Sequence, residues 1–350
     1  MASRRHRLPT LLKTIIPLGV LLTSIALLLL SRPVQARMLH PFPSTTFSTS
    51  EPNCTGTSLY SRLPRKFEPS DLVWDPSKQL LYVVSDNGRV AALDNVGTDS
   101  EDAAQVWKLG KQFDLEGCTL VPGRADTIYL GVEYPAAVLE YNLNSSSIVR
   151  EWPLQSYFDQ HPVPADPDSD PSQVDTNSGL ESLVFVPSSA SDWGGYFYVG
   201  RQEDARVFVF ELPVSEQALM IQSELRFRGW IQPPGPGYDL SAMTLWRNHL
   251  WLLYDKAYQL LALKSVSILP KEGAEMQIEA ATLQAVSQMS FDIRGQEGLA
   301  FVEEANGTKW VFIGVDPPKR KGAKDLLRYD LDTFFECFAD NGLKSIPTNV

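Results

Sequence analysis

The chain has little of the residue chemistry that usually marks an enzyme. It carries three cysteines and four histidines in 350 residues. Cys54, Cys118 and Cys337 are too few for a disulfide-built scaffold, so an apolar core must hold the fold, and none stands in a paired zinc or redox spacing. Outside the N-terminal segment only His40, His161 and His249 remain. No Gly-x-Ser-x-Gly turn accompanies them, which excludes the hydrolases built on that elbow. His249, beside "LWLLY", reads as structural. A glycine loop that cradles phosphate and a dinucleotide fingerprint are both missing. Beyond Thr14–Leu30 no run is long and apolar enough to span a bilayer.

That first run belongs to a segment with the layout of a secretory leader. Arg4, Arg5, Arg7 and Lys13 precede the apolar stretch, and "VQA" ends at Ala36. The expectation is a signal peptide over 1–36 and an exported, periplasmic or extracellular protein, touching a membrane only if the leader is retained as an anchor. Loss of 1–36 takes five of the 31 basic residues and no acidic ones, leaving 26 against 42, near −16. A surface that acidic disfavours nucleic acid and attracts metal cations.

What fills the rest is a repeat. Five units begin at Ser70, Glu116, Glu181, Ser241 and Glu297 ("SDLVWDP", "EGCTLVP", "ESLVFVP", "SAMTLWR", "EGLAFVE"). Each passes a short apolar strand, a turn, a more apolar strand ending near an acid, and a third strand. Short strands at this spacing predict an all-β propeller of five blades, a sixth being left open if Pro41 to Phe67 and the long linkers hold one. The expected divisions are 37–65 as an N-terminal segment with a closing strand, 66–340 as the propeller, and 341–350 as a tail. "AAQVWKLG", "SIVREWPL", "ELRFRGWIQ" and "IEAATLQAV" are the candidate outer strands, and "SEQALMIQSEL" the one helical candidate. A propeller must close its ring or leave edges unpaired. "GTSLYSRLP" is the candidate closing strand, beside "LDTFFECFAD", which would bring Cys54 and Cys337 together. Trp74, Trp246, Trp251 and Trp310 are expected to pack between blades. The acid-rich loop Gln160–Ser178 lacks the regular spacing of a calcium loop.

In such a blade the innermost strand starts on the face where the second strand ends. First-strand starts carry Asp71, Glu116, Glu181, Ser241 and Glu297, and second-strand ends carry Asp86, Glu133, Glu203, Asp255 and Asp316. All should gather at one channel mouth. Carboxylates so gathered bind backbone amides of neighbouring blades, or need a cation. Hard oxygen donors without histidine or cysteine suit Ca²⁺ or Mg²⁺ over zinc. Glu297, Glu116 and Glu181 are the expected catalytic acids, Glu133, Asp316, Asp86 and Asp255 the expected calcium ligands. Arg201, Lys256 and Arg89 are the expected contacts for a small-molecule or phosphorylated substrate, with Arg294, Lys319 and Arg320 also beside acids. Gly298 is read as the residue that lets the chain turn into the channel wall.

The "D-x-E-G" start (Asp114, Glu116, Gly117), the "G-x-E-G-L" start (Gly295, Glu297, Gly298), "YVVSDN", "YLGVEY" and "GLESLVF" resemble the exported propellers of the SdiA-regulated and esterase-like phytase families, over about residues 66–331. The chain departs from that pattern with "SDL", "ESL" and "SAM" in the first, third and fourth units. The resemblance implies an exported, calcium-binding propeller with phosphoesterase-like activity. Three functions are left open: a cation-dependent hydrolase of phosphate or carboxylic esters, a non-catalytic propeller that binds a ligand, glycan or protein at the same mouth, and a purely structural envelope protein, which would leave the recurring acids unexplained.

Overall fold

Short runs of Val, Ile, Leu, Tyr and Phe, each cut off by Pro, Gly, Asn or Asp, form twenty-one strands among the described residues. The computed structural model describes residues 54–163, 179–214, 224–264, 268–270, 276–290, 293–317 and 323–338. Residues 1–53, with the expected signal peptide, most of the acid-rich loop, nearly all of "SEQALMIQSEL", Lys319 and Arg320 lie outside them. No helix among the described residues is long and apolar enough to cross a membrane.

Five antiparallel sheets follow one another along the chain. Blade 1 is β2 (Pro69–Asp75), β3 (Leu80–Ser85), β4 (Arg89–Leu93) and β5 (Gln105–Lys108). Blade 2 is β6 (Leu115–Thr119), β7 (Thr127–Val132), β8 (Ala137–Asn142) and β9 (Ser147–Pro153). A short helix α1 (Gln155–Gln160) leads to blade 3, formed by β10 (Leu180–Pro187), β11 (Gly195–Arg201), β12 (Val207–Glu211) and β13 (Arg226–Ile231). Blade 4 is β14 (Leu240–Trp246), β15 (His249–Tyr254), β16 (Gln259–Lys264) and β18 (Ser287–Ser290). Blade 5 holds β19 (Gln296–Glu303), β20 (Lys309–Val315) and β21 (Asp325–Asp330). The fold is a five-bladed β-propeller.

Three expectations are corrected here. "IEAATLQAV" is not the outer strand of blade 4. Its first residue ends β17 (Met276–Ile278), which adds to blade 3 in parallel beside β13, and β18 takes the edge of blade 4. "LDTFFECF" is not a strand but helix α2 (Leu331–Phe338), whose Phe335 lies against Trp246, Trp251 and Phe301. The closing strand pairs instead with β21: β1 (Thr57–Ser58) lies antiparallel to it, Thr57 opposite Arg328 and Ser58 opposite Leu327.

Each sheet is covered on both faces, so its buried residues form two sets. Five apolar clusters result, one in each junction between adjacent blades, from Tyr82, Val84, Leu130 and Leu139 between blades 1 and 2 to Leu72, Leu81, Ala300 and Phe312 between blades 5 and 1. Trp251 is buried between blades 4 and 5, Trp246 packs at the same junction, and Trp74 and Trp310 pack at the closing one. The innermost strands run close together. A Cβ on Gly117 would lie 2.7 Å from Leu183 Cβ, and one on Gly298 3.0 Å from Asp71 Cα, so these glycines serve blade contact rather than a turn into the channel wall. Gly117→Ala is expected to lower stability by about 1–3 kcal/mol in a denaturant titration, because rigid neighbours on the next blade would have to shift. An unchanged midpoint would contradict that packing.

The ring is held shut by few bonds. β1 spans two residues, Leu59 N–H donates to Leu326 O at 2.8 Å, and a Cys54–Cys337 disulfide joins the segment before β1 to α2 across 283 residues. Cys118 is free and buried. Since the disulfide prevents the closing strand from leaving, Cys54→Ser with Cys337→Ser is expected to cost about 2–5 kcal/mol and to lower Tm by roughly 5–15 °C. An unchanged Tm would show that the apolar closing junction suffices alone.

Candidate functional site

A strand inside a propeller blade presents its side chains alternately to two neighbouring blades and none to the channel. One extra residue changes this. In every blade the pairing of the first two strands skips a residue near the start of the innermost strand: Ser70, Glu116, Glu181, Ser241 and Glu297 are the residues skipped. The flanking residues, though two apart, face opposite neighbours. Leu115 packs toward blade 1 while Gly117 meets Leu183 of blade 3, and Leu240 packs toward blade 3 while Ala242 packs toward blade 5. The bulged residue between them belongs to neither face, and the bulged glutamates of blades 2, 3 and 5 come within reach of one another's charge.

Blade 1 therefore contributes Ser70 to this ring, where Asp71 was expected. Asp71 stands one position later, toward blade 2. It is buried, its Oδ2 accepts the Cys118 N–H at 2.8 Å and its Oδ1 the Leu72 N–H at 2.8 Å. Burial holds its carboxyl well above the ordinary range, against the pull of those two amides. Asp255 does similar work between blades 4 and 5, where Oδ1 accepts the Gly295 and Gln296 N–H groups at 2.8 and 3.0 Å. Burial raises its carboxyl too.

The bulged glutamates of blades 2, 3 and 5 converge. Glu116 and Glu181 lie well above the ordinary carboxylate range, through burial first and then through other acids: Glu181, Asp114 and Glu297 acting on Glu116, and Glu297, Glu133 and Asp239 on Glu181. Burial, with Asp255, Asp239 and Asp316, pushes Glu297 from 4.5 to about 8, and Lys256 partly offsets this. Carboxylates from non-adjacent blades thus share one field.

Around them stand two tighter groups. Asp114, Glu116 and Glu133 offer carboxylate oxygens all within 4.8 Å of one another, and so do Glu68, Asp86 and Asp316. Asp86 is raised to about 6 by burial, then by Asp316 and Asp114, so it lies between the groups. Oxygen-only donors at this spacing suit a hard divalent cation. In the second group Lys324 Nζ donates to Glu68 Oε1 and, at 3.2 Å, to Asp316 Oδ2.

Sequence reading missed Glu68, Asp239 and Lys324, and named Asp114 without a role. A signal existed for the acids: Glu68, Asp114 and Asp239 each lie two residues before a bulge. Nothing local marks Lys324. Glu203 is also displaced from its expected place. Gln202 N–H donates to Gly179 O as Glu133 N–H does to Asp114 O and Asp316 N–H to Gly295 O, so Gln202 takes the blade 3 position, and Glu203 lines a cleft with Arg206 and Gln232.

The expected cationic contacts separate in the same way. Lys256 fits the mouth: its Nζ donates to buried Asp239 at 2.5 Å, and its own side chain is 69% exposed. Arg201 does not. It is buried, donating to Asp204 and to the Phe158 and His161 carbonyls, and it anchors α1 to blade 3. Arg89 is likewise occupied, by Asn87, the Lys66 carbonyl and the Phe67 ring. Arg294 is exposed. His249 bonds the Arg247 carbonyl in a turn, at 2.7 Å.

The raised carboxyls set a pH dependence. A group whose folded pKa exceeds its unfolded value stabilises most below the unfolded value and loses that contribution as pH rises to the folded one. For Glu297 that window runs from 4.5 to about 8. Chelator-treated protein is expected to lose several degrees of Tm between about pH 5 and pH 8, with a shallower loss in Glu297→Gln. A Tm that is flat or rising across that window would contradict the crowding.

Among solved structures the chain is similar to Myxococcus xanthus glutaminyl cyclase, at 10% identity over 75% of this chain and 90% of that one, with a TM-score of 0.42. A protein of unknown function from Bacteroides caccae matches at 9% identity over 76% and 79%, with a TM-score of 0.40. The β-propeller domain of Myceliophteria thermophila Swd1 matches at 10% over 76% and 73%, with a TM-score of 0.35. No curated protein matches the chain. A family model described as "Phytase-like: Esterase-like activity of phytase" covers residues 68–316, from the first acid of the mouth to the last. The chain belongs to the phytase-like family.

Proposed function

We propose that this protein is an exported, cation-dependent hydrolase of phosphate or carboxylic esters, acting at the acidic channel mouth. The observation that carries the reading is the convergence of Glu116, Glu181 and Glu297 from blades 2, 3 and 5. Their bulges aim them at the channel, where Glu116 is crowded by the charge of Glu181 and Glu297, Glu181 by that of Glu297 and Glu133, and Glu297 by that of Asp255, Asp239 and Asp316. A fold has no need to concentrate like charge in this way, since Asp71 and Asp255 already tie neighbouring blades through amides. The family's description, an esterase-like activity of phytase, supports the reaction class.

Asp114, Glu116 and Glu133 would hold the cation, their oxygens being close enough to share one ion. When bound, a divalent cation lowers the pKa of a coordinated water and polarises an ester oxygen. Glu297, held near 8, carries a proton at neutral pH and can give it to the leaving oxygen. Glu181 stands near the same acids, and burial with the charge of Glu297 and Glu133 favours its protonated form. Lys256 supplies positive charge at the rim, with its stem exposed and its Nζ fixed on Asp239. Export is supported by the leader-like N-terminus and by the Cys54–Cys337 disulfide, a bond at home in an oxidising compartment.

The test is turnover. Mature protein assayed on phosphomonoester and carboxylic ester substrates is expected to hydrolyse one class with Ca²⁺ or Mg²⁺ and to stop in chelator. Glu116→Gln and Glu297→Gln are expected to lose about 10²-fold or more in kcat/KM, and Glu303→Gln, outside the mouth, to retain it. Thermal stabilisation by Ca²⁺ without turnover on either class would reject the hydrolase and favour a non-catalytic binding propeller.

A further inference from the structure

We propose that Lys324 is a tethered counter-cation that fills the Glu68, Asp86 and Asp316 group, so that the mouth takes fewer divalent cations than its carboxylate groups would otherwise accept. The two groups are alike in donors and spacing: three carboxylates each, with oxygens within 4.8 Å of one another. They differ in that the ammonium of Lys324 sits in one of them, bonded to both Glu68 and Asp316. These three side chains are partly buried, at 26, 27 and 21% exposure, so the ammonium and the two carboxylates meet in a half-shielded setting.

The position is particular to blade 5. Lys324 precedes the residue paired with the end of the second strand, where the other blades have Gly88, Ala136, Ala205 and Tyr258. None of those carries a cation. Blade 5 is also where the ring closes onto blade 1, and Glu68 comes from blade 1's side of that junction. An ammonium held there neutralises like charge across the seam without a soluble ion. A divalent cation bound by the same oxygens would need the space the ammonium occupies, so the two exclude each other. Lysine, a compact point charge on a flexible stem, suits this role.

The inference rests on the cation-binding part of the function proposed above, and calcium stoichiometry separates the two. Chelator-treated, desalted mature protein is titrated with Ca²⁺ by calorimetry near neutral pH, with folding checked by circular dichroism. Lys324→Met is expected to bind one more Ca²⁺ per chain than the natural protein, Lys324→Arg the same number, and Lys324→Met with Glu68→Gln again the natural number. Equal counts for the natural protein and a folded Lys324→Met overturn the proposal. Should Lys324→Met not fold, Glu68→Gln alone decides. An unchanged calcium count supports the lysine as the occupant, and the loss of one Ca²⁺ shows that a metal sits there instead. Absence of both Ca²⁺ and Mg²⁺ binding by the natural protein sinks the hydrolase reading, whereas the difference made by Lys324→Met bears only on the lysine.

Discussion

One inserted residue per blade is the constraint on which the mouth depends. Sheets packed face to face bury both of their surfaces, and regular alternation would send every side chain of the innermost strand into a blade junction. The bulge breaks that parity. Leu115 and Gly117 face opposite neighbours, and so do Leu240 and Ala242, which frees the residue between from both cores. Close packing of the inner strands, secured by small residues such as Gly117 and Gly298, then brings the five freed residues to a common mouth. A carboxylate there stays out of the apolar clusters, and burial at the mouth raises it instead.

Acids near this mouth fall into two populations, and the supply of donors explains the division. Asp71 and Asp255 meet backbone N–H groups of the next blade, and they act as fasteners. Glu116, Glu181 and Glu297 sit at the bulges instead, and the charge around them is that of other acids: Glu181, Asp114 and Glu297 for Glu116, Glu297 and Glu133 for Glu181, Asp255 and Asp239 for Glu297. The same residue type therefore ties blades in one place and crowds charge in another. Cations answer that crowding, and among the described residues Lys256 stands beside Asp239 and Lys324 between Glu68 and Asp316.

The repeat was legible because its signal is local: Ser70, Glu116, Glu181, Ser241 and Glu297 open the five units and are also the five bulged residues. The blade count, the closing segment and the Cys54–Cys337 pair followed from that frame. What remained hidden was the direction of side chains. Taking Asp71 as the acid of blade 1 is an error of one residue, and one residue separates the channel from the blade junction. Glu203 failed in the same way, being one position beyond Gln202. Arg201 and Arg89 looked available because they neighbour acids in sequence, yet α1 and the segment before blade 1 consume their donors. Lys324 could not be found at all, since its partner Glu68 lies 256 residues away and only ring closure joins them.

The ring of acids is not five-fold, and its asymmetry gives the site a direction. Three equivalent positions can be followed from blade to blade: two residues before the bulge, the bulge itself, and the residue after the second strand. Blade 2 fills all three with acids, Asp114, Glu116 and Glu133. Blade 3 fills one, with Gly179 and Gln202 beside Glu181, and blades 1 and 4 put serine at the bulge between Glu68 and Asp86 or Asp239 and Asp255. Negative charge is thus densest on blade 2, whereas the lysines of the mouth stand on blades 4 and 5. A cation held on the blade 2 side and a proton held by Glu297 of blade 5 would approach a substrate in the channel from different sides. In-line attack at a phosphate ester would use that separation, because there the attacking water and the leaving oxygen occupy opposite ends of the reacting centre. A symmetric ring of five glutamates would supply more charge and no such axis.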